Sequence, residues 1–83
     1  MFKKVCIIGC GLIGSSIARA IKKNRLSSKI VSSNRSEIKN KKVIQLNIVN
    51  TSSSNTQKMV MGSDLVIIAT PLSSYKEVII KIL

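Results

Sequence analysis

The residues of this chain best placed to do chemistry are three glycines near its start. Gly9, Gly11 and Gly14 hold the glycine positions of a G-x-G-x-x-G turn, Gly9-Cys10-Gly11-Leu12-Ile13-Gly14. The chemistry such a turn supports is the binding of a pyrophosphate by main-chain N–H groups. Gly9 lets the chain leave a strand in a tight turn that a side chain would obstruct. Gly11 has no Cβ, so a pyrophosphate can approach the backbone closely, and Gly14 lets the next helix pack close to the sheet. A helix starting here directs its unpaired N–H groups and the positive end of its dipole at the phosphates.

Such a turn works only between a strand and a helix, and both are written beside it. Val5-Cys6-Ile7-Ile8 is an unbroken apolar run, as in a strand buried on both faces of a parallel sheet. Apolar or small residues at 13, 16, 17, 20 and 21 predict one face of a helix over 11–24, with Lys22 and Lys23 near its negative end. A second strand is expected over 29–33. Ser36 is a natural N-cap for a second helix reaching 46, whose apolar positions (Ile38, Val43, Leu46) are sparse. Ile48 and Val49 lead into a weak third strand, 50–56 reads as polar loop, and 57–61 as a short helix stopped by Gly62. Residues 65–69 repeat the buried-strand signature, which Thr70-Pro71 ends. From Ser73 or Ser74, the positions of Tyr75, Val78, Ile79 and Ile82 mark a last helix.

Alternation of this kind predicts an α/β fold, a Rossmann-type doubly wound parallel sheet of four strands in the order 3-2-1-4. The first and fourth strands are then neighbours, and the glycine turn and Ala69-Thr70-Pro71 flank one crevice. The fourth strand keeps an open apolar edge. The expectation is that residues 1–83 form part of a nucleotide-binding domain, truncated, without a substrate domain.

The end of the second strand selects between dinucleotides. An acid there, roughly 20 residues past the glycines, bonds the ribose hydroxyls of NAD. This chain has Asn34, followed by Arg35 and Ser36. Asn carries no charge to repel a 2′-phosphate, Arg can pair with one bidentately, and Ser33 and Ser36 add small hydroxyl donors. NADP is therefore the expected cofactor in preference to NAD; the alternative leaves Arg35 in solvent and has Asn34 bond the ribose as Asp would.

Composition narrows the remaining classes. Fourteen Lys and Arg face three acids, for a net charge of +11, which invites a nucleic-acid reading. The basic residues are scattered, however, and Phe2 and Tyr75 are the only aromatics, so nothing interleaves to stack bases. An anionic small molecule is the better use of the charge, and no nucleic acid is expected. Cys6 and Cys10 lack metal-site spacing and there is no His to join them, so both read as small hydrophobes in a reducing compartment. The first 20 residues superficially imitate a signal peptide, but the glycine turn and a helical period running to Ile21 argue against it. No run is long enough to span a membrane. A cytoplasmic protein without membrane attachment is expected.

The segments GCGLIGSSIARAIKK, SNRSE and GSDLVIIATPLSSYKEV together resemble prephenate and arogenate dehydrogenases of tyrosine biosynthesis. The resemblance covers nearly all 83 residues, yet these correspond only to the nucleotide-binding part of a much longer enzyme. Pyrroline-carboxylate reductases and hydroxyisobutyrate-type dehydrogenases share the layout and the Asn-Arg pair, but commonly have Met where this chain has Ile13. The resemblance implies oxidative decarboxylation: NAD(P) takes hydride from the substrate ring, and loss of carbon dioxide makes the ring aromatic. It carries Gly9, Gly11, Leu12, Ile13 and Gly14 onto the pyrophosphate turn, Asn34, Arg35 and Ser36 onto the adenosine ribose, and Ala69, Thr70 and Pro71 onto the wall near the nicotinamide. The family's substrate-polarising His and carboxylate-holding Arg have no counterpart here, so no catalytic residue is assigned. The resemblance further implies prephenate or arogenate as the small-molecule partner, and a C-terminal helical domain for substrate and dimerisation, absent from this chain, that makes the full-length protein a homodimer. A nucleotide-sensing module without catalysis is the reading from a different class.

Overall fold

Val5–Ile8 is apolar at every position because both its faces are covered. In the computed structural model, which describes residues 1–70 and 79–80, these residues form β1 and are all buried. The elements follow in alternation: α1 (Leu12–Lys23), β2 (Ile30–Ser33), α2 (Glu37–Gln45), β3 (Thr51–Ser53), α3 (Thr56–Val60) and β4 (Leu65–Ile68). All strand pairs are parallel, in the order β3-β2-β1-β4, with Val5 opposite Ile30 on one side and Leu65 on the other. This is the Rossmann-type α/β sheet expected from the alternation, and it sets β1 between β2 and β4.

Period-two alternation along the strands divides the core in two. Val5, Ile7 and Ile30 pack with Ala18 and Ile21 of α1, Val43 of α2, and Ile48 and Val49. Cys6, Ile8 and Val31 face the other way, onto Met59 of α3. So α1 and α2 cover one face and α3 the other, the arrangement that parallel crossovers impose. The glycine turn, the residues after β2 and those after β4 all emerge at the carboxyl end of the sheet.

Local departures from the expected elements have physical reasons. The buried stripe of α1 is Gly14, Ala18 and Ile21, with Ile17 packed against it, spaced i, i+3, i+4, i+7. Ile13, expected on that face, is 69% exposed. In α2 only Val43 of the three expected apolar positions is buried; Ile38 and Leu46 are exposed, and the second buried residue is Asn40. The third strand is not at 48–49 but at Thr51–Ser53, inside the stretch that reads as loop. Ile48 and Val49 are consumed instead as core residues where α2 turns back, through Asn47 at φ 57°. Asn50 then sets the register, its N–H donating to the Ile30 carbonyl (2.7 Å) and its Oδ1 accepting from the Ile30 N–H (2.8 Å). The short helix runs over Thr56–Val60 with Asn55 as its cap, and the chain turns at Gly62 (φ 77°). Of the expected last helix only positions 79 and 80 are described, and both are helical; Pro71 and Tyr75 lie outside the described residues.

Two predictions follow from this packing. A Cβ at position 14 would stand 2.6 Å from the Gly9 carbonyl oxygen and 3.2 Å from Ile7 Cγ2. Backbone cannot yield as a flexible side chain does, so Gly14→Ala is expected to cost about 1–3 kcal/mol, read as a lowered urea midpoint. Burial pushes the Cys6 thiol up to about 11, a rise partly opposed by the Lys4 charge, from an ordinary value of 9.0. The folded state thus keeps its proton where the unfolded state has released it, and stability declines as pH climbs from about 9 to about 11. Cys6→Ala should lack that component, so the difference in unfolding free energy between the two proteins should change across this window and be constant below it.

Candidate functional site

The glycine turn divides its work as the spacing suggests. Gly9 donates to the Ser33 carbonyl (2.8 Å) and adopts φ 83°, a conformation that suits only glycine well; a Cβ there would stand 2.5 Å from Thr70 Cγ2. Gly14 is pressed against the Gly9 carbonyl. Gly11 differs: the nearest atom to where its Cβ would stand is Lys39 Nζ, at 3.9 Å. Protein therefore fills the space beside Gly9 and Gly14 and leaves the space above Gly11 open. The N–H of Gly11 donates to the Gly9 carbonyl (2.8 Å), which tightens the turn, and Ser15 N–H closes the first turn of α1 onto the Gly11 carbonyl (2.8 Å). No side chain caps α1 and no acid stands in its first turn. The N–H groups of Leu12, Ile13 and Gly14 have no intrahelical acceptors, by the geometry of any helix start. Leu12 is 89% exposed, so this end of the helix opens outward.

Asn34 stands at the end of β2, as expected, but its carboxamide is turned inward. Its Oδ1 accepts from the Cys10 N–H inside the glycine turn (2.7 Å). Its Nδ2 donates to Asn40 Oδ1 (3.0 Å) and to Ser52 Oγ (3.3 Å). Asn40, 2% exposed on α2, returns a hydrogen bond from its Nδ2 to the Asn34 carbonyl (3.1 Å). Ser52 of β3 spends its one proton on Asn40 Oδ1 (2.6 Å), so Ser32 must donate to Ser52 (2.7 Å). Every proton of the Asn34 amide has a partner within the protein. Arg35 and Ser36, the next two residues, are exposed. Ser36 caps α2, its Oγ accepting from the Lys39 N–H (3.3 Å), which leaves the hydroxyl proton to be donated elsewhere.

Across the crevice Ala69 N–H donates to the Ile8 carbonyl (2.8 Å), extending the β4 ladder past the strand's last residue. Thr70 then lies against Gly9 with its Oγ1 buried and lacking a hydrogen-bond partner among the described residues, while Pro71 is outside them. The glycine turn, residues 34–36 and residues 69–70 are thus brought to one end of the sheet. Two residues that sequence reasoning passed over belong with them. Asn40 left only an indirect signal, the shortage of apolar residues on α2. Lys39 left one as well, since it is three residues past the Ser36 cap and so at a fixed place in the first turn of α2. Among the described residues no group of His, Cys, Asp and Glu could hold a metal ion, and no helix is long and apolar enough to cross a membrane.

Comparison with known proteins agrees with this geometry. A prephenate dehydrogenase of Lactococcus lactis subsp. cremoris (strain MG1363) is 41% identical over 71 residues, which are 86% of this chain and 20% of that protein. The crystal structure of prephenate dehydrogenase from A. aeolicus, in complex with hydroxyphenyl propionate and NAD+, superposes with a TM-score of 0.89 at 21% identity, over 98% of this chain and 29% of that one. That likeness establishes the fold. The chain therefore spans 20% of the length of the first and 29% of the second. With residues 4–82 matching the family described as NADP oxidoreductase coenzyme F420-dependent, nearly the whole of the sheet, the turn and the crevice is accounted for, and the chain belongs to that family.

Proposed function

We propose that this chain binds a nicotinamide dinucleotide, NADP in preference to NAD, as the cofactor-binding part of a dehydrogenase that decarboxylates prephenate or arogenate oxidatively. The observation that carries the reading is the open space above Gly11 between two filled glycine positions, beside an end of β2 that offers Arg35 and Ser36 in place of an acid. The residues fit such a group on two further counts: the first turn of α1 is uncapped, and the Thr70 hydroxyl is buried without a partner at the crevice.

On this reading the N–H groups of Leu12, Ile13 and Gly14 receive the pyrophosphate, and the dipole of α1 adds roughly half a positive charge. Arg35 and the Ser36 hydroxyl take the ribose 2′-phosphate. Asn34 serves the site by holding the turn, with its carboxamide committed to the Cys10 N–H. Ala69, Thr70 and Pro71 wall the nicotinamide side, and the cofactor, when bound, supplies the ring that accepts hydride. The chain contains no His. On this reading no residue of this chain is assigned to polarise the substrate hydroxyl or to tell prephenate from arogenate. The family description, which names NADP, and the 41% identical prephenate dehydrogenase support the two halves of the proposal.

Calorimetric titration with both cofactors tests the first half: NADP+ should bind about tenfold more tightly than NAD+, as one charge-assisted contact implies, and tighter NAD+ binding would refute the preference. The second half is tested in the longest protein carrying this chain, by prephenate- or arogenate-dependent NADPH formation; activity with neither would discard it. Asn34→Asp separates the inward role of this residue from a role in selection. Aspartate cannot donate to Asn40 Oδ1 or Ser52 Oγ, so the variant should lose about 1–3 kcal/mol of stability and bind both cofactors less well. A variant of unchanged stability that binds NAD+ better than the parent would show that residue 34 selects the ribose directly.

A further inference from the structure

Cations that lie scattered along the sequence are gathered by the fold. Crossover helices run antiparallel to the strands they join, so α1 ends beside the strand starts, at the end of the sheet opposite the glycine turn. Lys3 and Lys4 lead into β1, Lys29 leads into β2, and Lys22, Lys23 and Arg25 close α1, which brings six cations to that end. Among the described residues the one acid there, Asp64, is committed to the main chain. Its Oδ2 accepts from the N–H groups of Lys3 (2.5 Å) and Lys4 (3.3 Å). The dipole of α1 accounts for Lys22 and Lys23, in its last turn, but not for Lys3 or Lys29.

Three large apolar side chains stand at the same end, in a row that follows the strand order. Leu26 precedes β2, Phe2 precedes β1 and Met61 precedes β4, and all three are exposed, Met61 to 71%. Main-chain hydrogen bonds fix the row: Phe2 N–H donates to the Leu26 carbonyl (2.9 Å) and Ser28 N–H to the Phe2 carbonyl (3.1 Å). Lys4 ties in the third member, its Nζ donating to the Met61 carbonyl (2.6 Å). Single exposed apolar residues are ordinary, whereas an apolar row ringed by cations has the composition of a surface that enters an anionic bilayer interface. A nucleic acid would meet the cations but leave the aliphatic side chains in water. Bases stack on aromatics, and Phe2 is the one aromatic among the described residues.

We propose that this end of the sheet docks on an anionic lipid surface. Phe2, Leu26 and Met61 enter the headgroup layer, and the cations face lipid phosphates. Neither signal alone anchors a protein firmly, but apolar insertion and a basic patch together do. The proposal rests on the sheet and its charge, and is independent of the dinucleotide reading. With 12 residues, α1 is about 18 Å long and holds the glycine turn away from such a surface.

The test is co-sedimentation of the whole 83-residue chain with vesicles of phosphatidylglycerol and, separately, of phosphatidylcholine. The chain should pellet with the first and stay in solution with the second, and added salt should weaken the binding. Lys29→Gln should lower the affinity about fivefold, and Lys3→Gln with Lys29→Gln about twenty-fivefold. Leu26→Ser with Met61→Ser keeps every charge and should still cost about tenfold, at high salt as at low. Lys41→Gln removes a charge from α2, away from this end, and should change nothing. Thermal midpoints should match the parent's, since each substituted side chain is exposed. Four results would overturn the proposal: no binding to phosphatidylglycerol, equal binding to both lipids, an equal loss with Lys41→Gln, or indifference to the paired serine substitutions. Duplex DNA that strips the chain from the vesicles at equal phosphate concentration would overturn it as well, and would assign the face to nucleic acid.

Discussion

The hydrogen bond from the Cys10 N–H to Asn34 Oδ1 holds the functional end of this protein together. A glycine turn is intrinsically loose, because each glycine removes a constraint on the backbone. Here the looseness is taken up by a single buried amide that reaches from the end of β2 into the middle of the turn. That amide is in turn oriented by Asn40 on α2 and Ser52 on β3, so three consecutive elements, β2, α2 and β3, fix one N–H group. Buried polar groups of this kind are costly when half-satisfied and rigidifying when complete. The Asn34 amide is complete: its oxygen accepts once and both its protons are donated.

The same network explains why β3 is where it is. Thr51-Ser52-Ser53 has no apolar residue, and as an edge strand it needs few. Its contribution is hydroxyl chemistry, since Ser52 meets both Ser32 on β2 and Asn40 on α2. Apolar residues nearby serve a different purpose, Ile48 and Val49 closing the core under α2. Polarity rises along β2 itself, from Ile30-Val31 to Ser32-Ser33, and marks the passage from a strand held by packing to a site held by hydrogen bonds.

Much of this was legible in the sequence, and the illegible part is informative. The β1 and β4 runs, the glycine turn and the alternation of elements specify the sheet order almost unaided, because buried parallel strands leave a dense apolar signature. Gly9 turns the chain and Gly14 packs against it as their spacing implied, and the space above Gly11 is open. The apolar signal fails where burial is accomplished by polar groups: Ile48-Val49 points to a third strand that forms instead at Thr51–Ser53, and Asn40 is buried without being apolar. The α1 stripe was misjudged by including Ile13, which the turn leaves outside the core. Lys39 could not be singled out among scattered lysines, since its place above Gly11 depends on how α1 and α2 lie side by side.

The amides and hydroxyls of the clamp carry no proton that changes hands near neutrality. Asn34, Asn40, Ser32 and Ser52 keep the same donors and acceptors from mild acid to mild base, so the shape of the turn is indifferent to pH. An aspartate in the place of Asn34 would have made the turn's geometry hostage to its own ionisation. A phosphate monoester, by contrast, gains its second charge near pH 6. A clamp of amides and hydroxyls would thus keep its shape whichever charge state such a ligand brought to it.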